Sequence, residues 1–316
     1  MSYMEFQINC LLYLQHFRDI TGGVLNPLFS LLTACGEFLI PLSAVSLVLW
    51  CIDKKSGFFL LLNTTVSVLL NHLLKNIVCI YRPWIIDSNV HPLESAFKMA
   101  PGYSFPSGHT AIATGIWGGI ARVWHKNKLV LFSMIALICL VGLSRCYLGV
   151  HTPQDVVVAL IIGVFVIIFG YKVYNWVDNG KNRDLYLTLT VIVLGFLILL
   201  YTTFKGYPID YVNGKVLVSP YAAKLGTFSK YGILFASFLG WFLERRFIKF
   251  DEKKGTVKTK IIRFLIGLVF LVPLIACTSE YFQMIFGQPI GKFLYYTAIG
   301  FYITCIYPLF IKLSKL

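Results

Sequence analysis

Three short clusters hold residue types that could move a phosphoryl group. Lys75, Arg82 and Pro83 make the first, Pro106, Ser107, Gly108 and His109 the second, and Ser144, Arg145, His151 and Asp155 the third. Lys75, Arg82 and Arg145 would repel one another unless an anion lay between them. A tetrahedral dianion suits them, because the planar donor fork of arginine matches phosphate oxygens. Pro106-Ser107-Gly108 reads as the opening of a helix, whose first backbone N–H groups are free and point at a bound anion. Gly108 would let the backbone approach closely, and the Ser107 hydroxyl could add a donor. Asp155 follows His151 by one helical turn, so its carboxylate can hold one ring nitrogen and leave the other as a nucleophile. His109 stands beside the cradle and could protonate a leaving oxygen. The implied chemistry has two steps. His151 attacks phosphorus to give a phosphohistidine while His109 protonates the leaving alcohol; water, deprotonated by His109, then releases phosphate, with the cations stabilising the equatorial oxygens.

Taken singly, these signals are weak. A lysine or arginine at the end of a membrane helix is commonly a snorkelling anchor, and H-x-x-x-D alone is only a pair one turn apart. The force of the pattern lies in eleven positions that recur in order on one face. His109, His151 and Asp155 could instead ligate zinc. Three nearby cations oppose a divalent ion, however, and the chain lacks the acidic cluster that magnesium phosphatases use. No metal or other cofactor is expected.

The elements that must position these residues are membrane helices. Of the 316 residues, 57% are hydrophobic and only 13% are charged, and mean hydropathy is +0.74. Soluble domains have about a quarter of their residues charged, so a water-soluble enzyme, a disordered chain and a fibrous one are excluded. A spanning helix needs about 20 apolar residues. Nine such stretches are read, at 27–52, 57–76, 107–124, 129–147, 153–177, 185–204, 228–247, 262–282 and 290–313. Residues 4–17 are apolar but short, and are expected to lie at the membrane interface. The expected fold class is therefore an all-α polytopic membrane bundle of about nine spans. It would comprise an interfacial helix in 1–26, a catalytic core of spans 1–5 in 27–180, and a membrane extension of spans 6–9 in 181–316.

A formal net charge of +14 would suggest nucleic acid in a soluble protein. Here it bears on orientation. With the N-terminus outside, 18 of the 28 basic residues fall in inside segments, the densest run lying between Glu244 and Arg263. The positive-inside rule then places the N-terminus and all three clusters outside and the C-terminus inside. The expected partners are thus the bilayer and a phosphorylated substrate, not nucleic acid, and the sequence gives no sign of oligomeric state. The eight cysteines form no C-x-x-C pair and sit mostly in apolar runs, so they are expected to be small buried hydrophobes. Glu5, His16, Arg18 and Asp19 argue against a removable signal peptide.

The motifs K-x6-R-P, P-S-G-H and S-R-x5-H-x3-D resemble, at all eleven positions, the signature of the type 2 phosphatidic acid phosphatase superfamily. That family includes membrane lipid phosphatases, undecaprenyl pyrophosphate phosphatases, sphingosine-phosphate phosphatases, glucose-6-phosphatase and vanadium haloperoxidases. The resemblance covers residues 27–177. It implies a metal-independent phosphomonoesterase with His151 as nucleophile, Asp155 its partner and His109 the acid/base. Lys75, Arg82, Ser107, Gly108 and Arg145 would bind phosphate, while Ser144 would pack or position Arg145. Bacterial lipid phosphatases of the family typically end soon after the third motif. The additional spans over 185–313 and the N-outside arrangement are similar to glucose-6-phosphatase, as is, more loosely, the stretch from Ser219 to Phe228.

The expected activity is hydrolysis of a lipid phosphate or diphosphate at the extracytoplasmic face of a plasma membrane, bacterial from its Lys-, Ile- and Phe-rich composition. The alternatives are a phosphatase for a soluble ester such as a sugar phosphate, a phosphotransferase, and a transporter that merely recognises phosphate. Among the remaining conspicuous residues, His72 is expected to bond a neighbouring helix. Asn63, Asn71 and Glu37 are expected to be hydrogen-bonding partners between helices, and Trp84 and Tyr103 to be interfacial aromatics.

Overall fold

The computed structural model describes residues 3–212 and 215–316, so Met1 and Ser2 of the expected interfacial helix and residues 213–214 of the outer loop lie outside the described residues. The chain is a helical bundle. The strand pairing recorded among the described residues joins Tyr211–Val212 to Lys215–Val216.

By length and apolar composition six stretches among the described residues can cross a membrane: Lys54–Ile86, Lys128–Tyr147, Pro153–Asp178, Arg183–Phe204, Val257–Cys277 and Ile290–Ser314. A seventh is the pair Asn26–Ala34 and Leu39–Ile52, bent by 49°, if it counts as one span. The expected nine exceeds this count by two or three, and two of the expected stretches fall short for different reasons. Residues 108–123 are helical but number sixteen. At 1.5 Å per residue they reach about 24 Å, short of a hydrocarbon core of about 30 Å. Residues 220–248 are long enough and run from the site end at Ala222 to the clamp end at Glu244, but Lys224, Lys230 and several serines and glycines leave them less apolar than the other spans. Ser229, Gly232, Ser237 and Gly240 are all buried, alongside Tyr231 and Trp241.

Local sequence sets the helix ends. Asp53 caps the helix Lys54–Val78 by accepting from the Ser56 N–H at 3.0 Å. Thr152 and Asp155 form a reciprocal capping box at the start of Pro153–Asp178. The helix Lys54–Val78 runs through the centre, packed by helix 108–123, Pro153–Asp178 and helix 220–248. Small residues allow the close approach: a Cβ on Gly115 would lie 2.7 Å from Thr64 Oγ1, and one on Gly240 would lie 1.9 Å from Thr304 Oγ1. Outer helices present Phe132, Phe165, Phe196 and Phe270 outward, as a surface facing hydrocarbon should.

At the Lys54 end, ion pairs tie the start of the central helix to residues 178–184 and 244–246, and those two segments to each other. Lys54 pairs with Glu244 at 3.1 Å, Lys55 with Asp178, Arg245 with Asp178 at 2.7 Å, and Arg246 with Asp184 at 2.5 Å. Lys75 lies 21 residues along the same helix, about 32 Å away, so this clamp and the clusters occupy opposite ends of the bundle. The N-terminal helix Tyr3–Ile20 does more than lie at an interface. It buries Ile8 and Leu11 against Val90, Cys146 and Val156. Arg18 Nη2 donates to the His91 carbonyl at 2.7 Å, and Gln7 Oε1 accepts from the Gln154 N–H at 2.9 Å.

Candidate active site

Six pieces of backbone meet at the far end from the ionic clamp. The central helix contributes Lys75 in its last turn, and the segment after it contributes Arg82. Helix 108–123 contributes Gly108 and His109 at its start, capped by Ser107. Arg145 lies in the last turn of Lys128–Tyr147, His151 follows in the connection, and Asp155 sits in the first turn of Pro153–Asp178. A cavity of about 470 Å³ has Lys75, Arg82, Gly108, His109, Arg145 and His151 in its wall. Ser107 and Asp155 stand directly behind it, both buried.

The His151–Asp155 pair has a defined proton arrangement. Arg82 Nη1 lies 3.0 Å from His151 Nε2, and His151 Nδ1 lies 3.0 Å from Asp155 Oδ2. A guanidinium can only donate, so Nε2 accepts; the ring proton then sits on Nδ1 and is given to Asp155. The same Asp155 oxygen also accepts from Ser104 Oγ at 2.5 Å and from the Thr152 N–H at 3.0 Å. Burial, reinforced by Arg82, Lys75 and Arg145, holds His151 well below the usual histidine range. The ring is therefore neutral at neutral pH, with its lone pair on the cavity side.

The cations are anchored from behind. Lys75 Nζ donates to the Tyr103 and Ser104 carbonyls at 3.0 and 2.7 Å. Arg82 also donates to the Val150 and Gly102 carbonyls at 2.9 and 3.2 Å. Arg145 Nη1 donates to Thr33 Oγ1 at 2.5 Å, whereas its Nε is buried without a partner among the described residues. The same holds for His109 Nε2, whose nearest carboxylate oxygen is Glu37 Oε1 at 3.8 Å. A Cβ built on Gly108 meets nothing within 4 Å, so the helix start opens on free space where an anion could sit. Ser107 Oγ is an acceptor for the Thr110 N–H at 3.4 Å and the Thr110 hydroxyl at 2.9 Å. Its own hydroxyl proton is left as the donor.

Every residue expected at the site is thus gathered at one place, six on the cavity wall and two behind it. His109 stands apart from the His151–Asp155 pair, and no group of three or more His, Cys, Asp or Glu side chains able to hold a metal occurs among the described residues. His72 bonds the Ala223 carbonyl of a neighbouring helix at 3.2 Å, and Asn71 donates to the Ser107 carbonyl at 3.4 Å. Asn63 departs from expectation: neither side-chain polar atom has a hydrogen-bond partner among the described residues. Glu37 is no ordinary helix-to-helix bond either, since it sits at the break between Ala34 and Leu39 and faces His109. Sequence reasoning missed Ser104 and Thr33, which hold Asp155 and Arg145. Nothing separates them from other loop and helix hydroxyls until the chain is folded.

A second cavity, about 370 Å³ and mostly apolar, adjoins the first. The two share Val68, Met99, His109, Ile112, Ser229, Lys230 and Tyr296, and the second continues past Glu37 to Leu39, Leu42 and Leu61. Leu39 is 41% exposed on the outer face of the bundle.

Apolar helices enclosing a cationic, histidine-bearing cavity define a polytopic membrane protein with a polar site at one end of its bundle. The chain belongs to the PAP2 superfamily: the family model matches residues 56–179, and that of the PAP2 superfamily phosphatase transmembrane extension matches residues 228–316. It is 31% identical over 161 residues to phosphatidylglycerophosphatase B of Bacillus subtilis, covering 46% of this chain and 75% of that one. It is 28% identical over 146 residues to the undecaprenyl-diphosphatase of Sulfolobus acidocaldarius, covering 46% and 68%. It is 35% identical over 72 residues to the lipid A 4'-phosphatase of Porphyromonas gingivalis, covering 23% and 30%. No solved structure matches.

Proposed function

We propose that this protein is a metal-independent phosphatase that removes phosphate from a membrane lipid through a phosphohistidine on His151. The observation that carries the choice of a lipid is the junction of the two cavities. The polar one holds the cations and histidines, and the apolar one leads from His109 to Leu39 on the surface facing hydrocarbon. A soluble ester would need only the first; a lipid uses both, its head group among the cations and its tail in the chamber. The names of the three relatives, all phosphatases of lipid-linked substrates, support the same reading.

In this mechanism Arg82, Lys75, Arg145 and the free N–H groups at Gly108 and His109 hold the phosphate oxygens. Arg82 transfers its hydrogen bond from His151 Nε2 to a phosphate oxygen, which frees the lone pair to attack. As the N–P bond forms, the bond from phosphorus to the lipid oxygen breaks, and His109 gives that oxygen a proton. Asp155 stabilises the charge that develops on the His151 ring. Water then loses a proton to His109, attacks phosphorus and breaks the N–P bond, releasing phosphate. The division into a core over 27–180 and an extension over 181–316 belongs to this proposal. So does a plasma-membrane setting with N-terminus and site outside, where basic residues between Glu244 and Arg263 hold the ionic clamp on the cytoplasmic side.

The test is phosphate release by purified protein from lipid and sugar phosphates in EDTA, alongside His151→Ala. Lipid phosphates should be hydrolysed in EDTA and His151→Ala should be inactive. Activity abolished by EDTA refutes the metal-free mechanism, and an active His151→Ala refutes the nucleophile. Preference for sugar phosphates refutes the lipid assignment, and transfer to an added alcohol in place of water identifies a phosphotransferase.

A further inference from the structure

Two cations in the polar cavity have no role in the chemistry above. Lys230 lies on helix 220–248 and Lys292 in the first turn of the helix beginning at Ile290, both in the extension. Both side chains line the cavity that holds His151. Neither makes a hydrogen bond, nor an ion pair within 4.0 Å, among the described residues. Glu280 shares an adjoining depression with Lys292 without pairing with it. The three motif cations differ in this respect, since carbonyls anchor Lys75 and Arg82 and a hydroxyl anchors Arg145. Lys230 is close enough to act electrostatically on both Lys75 and His72, and Lys292 acts on Lys230. All five positive charges therefore belong to one cluster, and no carboxylate lies among the residues lining that cavity.

An ammonium group held inside a bundle without an acceptor is unfavourable, and one that merely snorkels turns its nitrogen away from the protein. Lys230 and Lys292 instead line the cavity, next to a centre that already has three cations for one phosphate. We infer that they form a second anion subsite, which takes a further phosphate group of the same substrate head group, beyond the phosphate presented to His151. This rests on the phosphatase reading and narrows it, from any lipid phosphate to a head group with two anionic phosphates. The second phosphate could be bonded directly to the first, as in a diphosphate, or set apart from it by a short linker, as in a phosphomonoester carried beyond a phosphodiester.

Binding separates the inference from catalysis. Methylphosphonate and a series of α,ω-bisphosphonates with one to four methylenes are titrated against wild type, Lys230→Met/Lys292→Met and Lys230→Arg/Lys292→Arg. A hydrogen bond to a charged group corresponds to roughly tenfold to a hundredfold in affinity. One bisphosphonate should therefore bind wild type at least tenfold more tightly than methylphosphonate. The methionine double variant should lose that advantage, and the arginine one should keep it. The optimal spacer distinguishes a diphosphate from a linked pair. Equal binding of all probes to wild type, or an advantage that survives in the methionine variant, overturns the inference. Turnover of farnesyl phosphate and farnesyl diphosphate is measured in parallel. Failure of both as substrates, with the binding advantage intact, counts against the phosphatase reading and leaves the subsite standing.

Discussion

Asp155→Asn is the substitution that most directly probes the centre, because it removes one charge and almost no volume. Asp155 Oδ2 receives three donors, from His151, Ser104 and Thr152. An asparagine carbonyl can still accept from Ser104 and the Thr152 N–H, so the helix start survives and the stability loss stays below the ~2 kcal/mol of a lost cap. One effect remains at His151. All three donors meet the same oxygen, so the asparagine carbonyl also keeps the Nδ1–H bond and the ring proton stays on Nδ1, but the bond loses its charge. Taking the charged bond at about 1.5–3 kcal/mol, the loss at 1.36 kcal/mol per decade is roughly 10- to 150-fold in rate, and kcat should fall by that amount. The assay is single-turnover and steady-state phosphate release in detergent micelles, with thermal unfolding of the same sample as the control. A folded Asp155→Asn protein with kcat within about tenfold of wild type, less than the charged bond accounts for, would refute the assignment of Asp155 as the charged partner of His151.

The position of His151 well below the usual histidine range has a signed consequence. Activity should be lost only as pH falls below the ordinary value of about 6.5, because protonation removes the nucleophile. Arg82→Met takes away the largest charge opposing that proton, so the acid limb of kcat/KM should move to higher pH; an unmoved limb contradicts the electrostatic account. Gly36→Val should cut kcat by at least about tenfold through misplacement of His109. A Cβ there would lie 2.8 Å from both the His109 carbonyl and Val141 Cγ1, and full activity would show that His109 tolerates displacement. Leu39→Trp, at the outer end of the apolar cavity, should raise KM for a long-chain lipid phosphate several-fold while sparing a short-chain one. An equal effect on both chain lengths would remove that cavity from the substrate path.

The candidate cluster was legible in the sequence because the proposed chemistry needs particular side chains at particular spacings, as with His151 and Asp155 one turn apart. The bundle was legible from apolar runs, but nine spans were expected where six or seven among the described residues meet the length and apolar composition of one. Residues 108–123 are a short helix that carries His109, and helix 220–248, which joins the site end to the clamp end, is diluted by lysines, serines and glycines. Groups that act through tertiary contact left no such trace. Ser104, Thr33 and Glu37 are ordinary residues until folding brings them to Asp155, Arg145 and His109. Lys230 and Lys292 stand 62 residues apart, and nothing in their neighbourhood along the chain announces a shared cavity.

The junction of a polar and an apolar cavity at His109 bears on what happens after the reaction. Cleavage yields two products of opposite solubility. The polar cavity reaches Ala222, which is exposed, while the apolar one ends at Leu39 on the hydrocarbon side. In the proposed mechanism the dephosphorylated lipid leaves first by the apolar side, since water takes its place beside His109, and inorganic phosphate follows by the polar one. The membrane itself draws off one product and water the other, so the direction of turnover is set by solvents on two sides of a single histidine.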